Sequence, residues 1–125
     1  TKRVSSMGYV KVKAKVSNPL KREKYLELEL LVDTGAIYSA LPEDILNKLE
    51  IKPMGKRSFK VASGELKEYK VGEVFIEVQG IGATSLVVFL PKNSIPLLGV
   101  TTLELLGLQL DPVTGKLKPL ELLLI

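Results

Sequence analysis

The chain of 125 residues contains neither cysteine nor histidine. Those two absences together remove disulfide frameworks, thiol nucleophiles, imidazole bases and the usual zinc ligand sets, so no metal and no cofactor are expected. No run approaches the roughly 20 apolar residues of a membrane span. Residues 1–8 show no periodicity and lack the apolar core of a signal peptide, so they read as a disordered or tag-derived leader. A soluble, cytoplasmic protein without a membrane partner is the expectation. Blocks of like charge are missing too. The formal net charge is +4, and the lysines alternate with glutamates instead of gathering, so no nucleic-acid partner is expected. Only five Asn and Gln residues stand beside abundant Lys and Glu, a bias met in heat-adapted proteins.

What is present suits one globular domain over residues 9–125. Hydrophobic residues make up 46% of the chain and charged ones 26%, and a chain of this length buries about two-thirds of its unfolded surface. Period-two alternation dominates. Val10, Val12, Ala14 and Val16 alternate with Lys11, Lys13 and Lys15, and after Asn18-Pro19 the run from Tyr25 to Leu30 alternates with acids on its wet face. An antiparallel hairpin with Lys15 facing Glu27 and Lys13 facing Glu29 satisfies both runs in one register.

A short strand is expected within residues 37–41, then a helix opened by Pro42-Glu43-Asp44 that carries Ile45, Leu46 and Leu49. Residues 56–71 form an unusually polar hairpin with Ser63-Gly64 at its tip, one with little to bury that projects from the body. Val74, Ile76 and Val78 form a further alternating strand, and residues 86–90 a strand covered on both sides. Leu97-Leu98-Gly99 enters a second helix holding Leu103, Leu105 and Leu106, and residues 108–125 close the chain as a hairpin around Pro112-Val113-Thr114-Gly115 with an apolar tail.

The residue out of place is Asp33. It follows Leu30-Leu31-Val32 directly and precedes Thr34-Gly35-Ala36. Aspartate is a poor strand residue, and its carboxylate at the end of a buried strand is costly unless neighbours hydrogen-bond it. Taken alone, Asp-Thr-Gly is more often a simple turn, in which Gly35 supplies a positive φ or room for a second backbone.

With Pro96-Leu97-Leu98-Gly99 before a leucine-rich helix, and the polar hairpin peaking at Ser63-Gly64 between the two motifs, the chain resembles the retroviral-type, or retropepsin-like, aspartic proteases, in a cellular or archaeal form. The resemblance implies a mostly β, single-lobe acid-protease barrel with two short helices, and a flap at residues 56–71. It implies a homodimeric endopeptidase that hydrolyses peptides or unfolded protein, with Asp33 as the catalytic residue and Thr34 and Gly35 supporting the site. Ala36, Ile37, Ser63, Gly64, Leu97 and Leu98 would contact substrate. Two departures are visible: Val100 stands where retroviral members usually carry an arginine, and the flap is lysine-rich. They keep a second reading in view, a peptide-binding or assembly dimer with little or no proteolysis.

Overall fold

The computed structural model describes residues 10–124; the expected leader lies outside them. Nine strands and two short helices follow in the order β1 (Lys11–Asn18), β2 (Lys21–Val32), β3 (Ser39–Pro42), α1 (Glu43–Lys48), β4 (Gly55–Lys60), β5 (Leu66–Val78), β6 (Ile81–Leu90), β7 (Leu97–Leu98), α2 (Val100–Leu106), β8 (Leu108–Asp111) and β9 (Lys116–Pro119). Seven strands form one sheet in the order β1-β2-β7-β3-β6-β5-β4. A further pairing of β1 with β5, Val16 opposite Ile76, closes it into a barrel and leaves β4 as an appendage of β5.

The alternating runs at the start of the chain pair as charge complementarity demands, with Lys13 opposite Glu29 and Lys15 opposite Glu27. Their apolar faces enter the main core, where Ala14, Val16 and Leu30 meet Val74, Ile76, Val78, Val87, Leu98, Leu103 and Leu106. Burying side chains of this size contributes about 1.5–3 kcal/mol each before chain entropy is counted. A smaller cluster of Ala40, Val71 and Val88, flanked by Tyr38, Phe59, Tyr69, Leu90 and Leu97, lies on the other side of the sheet.

β6 feeds both clusters, Val87 and Phe89 into the first and Val88 into the second, as an unbroken apolar run predicts. β5 is one strand of 13 residues where the sequence suggests two. Its apolar phase changes at Gly72: Tyr69 and Val71 face the small cluster, whereas Val74, Ile76 and Val78 face the main core. A Cβ at Gly72 would meet Lys52 O at 3.0 Å and the Phe89 ring at 3.2 Å, so the crossing needs a residue without a side chain.

β3 begins at Ser39, later than the alternation suggests, because the carbonyls of Ala36 and Ile37 are taken by the amides of Val100 and Thr101 at the start of α2. In α2 itself Leu103 and Leu106 are buried, while Leu105 is 53% exposed. β8 and β9 form a separate two-stranded sheet, turned by Gly115 at φ 70°, and residues 120–124 carry no regular element. No helix among the described residues is long and apolar enough to cross a membrane.

Candidate active site

β2 and β7 run parallel, Leu31 opposite Leu97 and Val32 opposite Leu98. Pairing so short a strand in parallel brings two distant loops to one point. Leu31 N donates to Pro96 O at 2.9 Å and Asp33 N to Leu98 O at 3.0 Å, so the backbone of Asp33 is fixed by the second motif. The turn then folds back, with Ala36 N donating to Asp33 O at 3.1 Å and Gly35 N to Asp33 Oδ1 at 3.0 Å. That amide answers part of the desolvation cost of a carboxylate at a strand end. Asp33 is half-buried, and Thr34 and Gly35 are exposed.

The glycines of the two motifs serve different ends. A Cβ on Gly99 would lie 2.5 Å from both the carbonyl carbon and oxygen of Tyr38 and 2.8 Å from Ser39 N, so its absence lets the loops touch. Gly35 has no positive φ, and a Cβ there would meet only Asp33 Oδ1 at 3.4 Å. Within one chain nothing crowds it.

Behind this pair of loops lies a buried chain of hydroxyls that sequence reasoning missed. Ser39 Oγ accepts from Gly99 N at 2.9 Å and bonds Thr102 Oγ1 at 2.5 Å; Thr102 Oγ1 bonds Ser85 Oγ at 2.7 Å, and Ser85 Oγ donates to Leu86 O at 3.1 Å. All three hydroxyl residues are buried. They tie β3, β6 and α2 together behind the two loops. Tyr38 and Arg57 were missed as well: Arg57 Nη1 donates to Tyr38 Oη at 2.6 Å, and Phe59 meets the Tyr38 ring edge-on at 6.0 Å between centroids. No local pattern links residues so far apart along the chain.

The remaining expected contact residues divide. Ala36 is half-buried and Ile37 is 60% exposed beside the turn, and Leu97 is half-buried against the small cluster. Leu98 is fully buried in the main core, where its side chain packs and in this chain meets no solvent-facing surface. Ser63 and Gly64 form the tip of the β4–β5 hairpin, with Gly64 at φ 92° and its amide bonded to Val61 O at 2.8 Å. No group of three or more Asp or Glu side chains placed to hold a metal ion occurs among the described residues.

Comparison with known proteins gives this geometry its context. The family model of gag-polyprotein putative aspartyl proteases matches residues 24–105. No curated protein matches the chain in sequence at a significant level. Among solved structures, the simian foamy virus (mac) protease in solution superposes with a TM-score of 0.55 at 22% identity, covering 75% of this chain and 91% of that one. The protease of equine infectious anaemia virus (EIAV) in complex with the inhibitor HBY-793 gives 0.59 at 22% identity, covering 86% and 94%. The foamy viral protease-reverse transcriptase bound to an RNA/DNA hybrid gives 0.60 at 22% identity, with 93% of this chain matched to 13% of that one. The fold is thus the mostly β, retropepsin-like one, and the chain belongs to the gag-polyprotein aspartyl protease family.

Proposed function

We propose that this chain is one half of a homodimeric aspartic endopeptidase. Hydrolysing an amide without histidine, cysteine or metal requires one carboxylate to take a proton from water and one carboxylic acid to protonate the departing group. Two carboxyl groups within about 3 Å share a single proton, because both cannot ionise together, and the pair then holds both states at once. The sequence has one Asp-Thr-Gly and no Asp-Ser-Gly, so the second carboxyl comes from another copy. A twofold axis between the two Asp33 side chains makes the contact isologous.

The observation that carries the reading is Asp33 itself, pinned by Leu98 O and Gly35 N at the end of a parallel strand pair in a member of a protease family. Two features support a second copy. Gly35 keeps clear a space that nothing in its own chain uses, and Leu122, Leu123 and Leu124 leave apolar side chains 67%, 85% and 96% exposed. In the dimer, Asp33 of one subunit acts as general base on the water and Asp33 of the partner subunit as general acid, with apparent pKa values belonging to the pair. Thr34 bonds across the axis, and Gly35 offers its amide near the carboxylates. Ser63 and Gly64 at the flap tip cover an extended peptide bound as an added strand, while Ala36, Ile37 and Leu97 flank it.

The C-terminal hairpin lies beyond the family-matched residues. Val100 and the lysine-rich flap favour the alternative, a peptide-binding dimer with little hydrolysis. Digestion of a peptide library by the wild-type protein and Asp33→Asn separates the two. The peptidase reading expects cleavage that falls at least about a hundredfold in the variant, the usual minimum for a lost acid–base group. Tight binding of uncleaved peptide by the wild type selects the alternative.

A further inference from the structure

The underside of the β4–β5 hairpin bears on which peptides the site accepts. Register places Arg57 opposite Tyr69 and Phe59 opposite Lys67, so these four side chains share one face. It is the face turned to the site, since Phe59 and Tyr69 pack with Tyr38 and Leu97 in the small cluster. Arg57 sits there on a fixed post. Its guanidinium lies 5.6 Å from the Tyr38 ring centroid and Nη1 donates to Tyr38 Oη at 2.6 Å. Tyr38 in turn is held by its neighbours, with Thr101 N donating to Ile37 O at 3.0 Å and Gly99 in close contact with the Tyr38 carbonyl.

One contact with the phenol leaves most of the guanidinium's planar fork of donors free, the geometry that matches a carboxylate. No ion pair among the described residues involves Arg57 or Lys67. Glu68 pairs with Ser58 in register and therefore stands on the opposite face. The side of the hairpin that faces the site thus carries two cations, one of them pre-oriented, and Glu65, across from Val61 at the tip, shares that side without forming an ion pair with either.

We propose that Arg57, oriented by Tyr38 and assisted by Lys67, selects peptides with an acidic side chain flanking the cleaved bond. In the dimer the twofold axis repeats Arg57, so acids on both sides of the bond are favoured over one. The inference rests on the peptidase reading and narrows its substrate class. Arg57 is a specificity residue here and takes no part in the proton transfers.

The test uses matched peptides with an apolar centre and Glu, Gln or Lys on its flanks. Binding is measured with the full-length Asp33→Asn protein, and kcat/KM with the wild type. Glu peptides are expected to exceed Gln peptides by about three- to fivefold per site, the upper range of an exposed ion pair, with Lys peptides weakest and the differences shrinking as salt rises. Arg57→Glu inverts the order. Tyr38→Phe keeps the charge, frees the guanidinium and narrows the preference. Equal binding of all three peptides by Asp33→Asn, or an order unchanged by Arg57→Glu in a variant of native circular dichroism, overturns the proposal. Wild-type cleavage that ignores peptide charge defeats the selectivity and leaves the peptidase reading standing. Selective binding by Asp33→Asn with no cleavage by the wild type does the reverse.

Discussion

Gly35 and Gly99 lie on facing loops yet answer to different neighbours, which makes them separable by mutation. Gly99→Ala drives a methyl into the Tyr38 carbonyl, which is backbone and cannot swing aside. A loss of about 1–3 kcal/mol or more is expected in urea denaturation. Gly35→Ala meets only a side-chain oxygen at 3.4 Å in its own chain, so the folded monomer should tolerate it while dimer association and activity fall. Ser39→Ala strips Gly99 N and Thr102 of a buried partner and should lower stability by about 1–3 kcal/mol. Asp33 was legible in the sequence because a carboxylate after three buried-type residues contradicts its setting. Ser39, Ser85 and Thr102 were not legible, since a small hydroxyl residue in a strand or helix looks the same whether it faces water or closes a hydrogen-bonded chain.

At the scale of elements, the β4–β5 hairpin depends on few contacts. Phe59 is the half-buried link between Tyr38 and Tyr69. Phe59→Ala should lose roughly half of the ~3–5 kcal/mol of a fully buried truncation, and amide exchange should quicken across residues 56–70 while the barrel amides keep their protection. The turn between β1 and β2 is fastened to the end of α1 in another way. Asn18 Nδ2 donates to Leu49 O and Glu50 O, and Lys21 Nζ bonds Glu50 Oε1 at 2.7 Å. The hydrogen bond from Lys21, and then its charge, hold the Glu50 carboxyl below the usual carboxylate range. A depressed folded-state value stabilises the fold above the unfolded-state pKa and is lost as pH falls through the folded one. Glu50→Gln should therefore be slightly less stable than wild type near neutrality, and the difference should vanish in acid. Alternation made most strands and the Lys–Glu register readable. β5 resisted because its buried side changes at Gly72, and a strand serving two clusters imitates two strands.

For the whole molecule, barrel closure through β1 and β5 brings residues 15–17 beside 75–77, a link that no local pattern announces. The parallel β2–β7 contact was likewise invisible to periodicity, which reads Leu97-Leu98-Gly99 only as the entry to a helix. The proposed assembly makes two demands at this scale. Activity should trace a bell against pH, since the pair works with one shared proton; a rate that rises steadily to pH 9 contradicts it. Removing residues 120–125 should shift sedimentation toward monomer and make specific activity depend on protein concentration, whereas unchanged sedimentation clears the tail of any part in association.

The continuity of β5 has a practical consequence. The β4–β5 hairpin and the barrel wall share one length of backbone with no linker between them, so a foreign hairpin cannot be spliced in at an arbitrary loop. A cassette exchange would have to be seamed where Gly55 pairs Val71 and Val71 pairs Val88, leaving Gly72 untouched as the point at which transplanted and resident halves change sides.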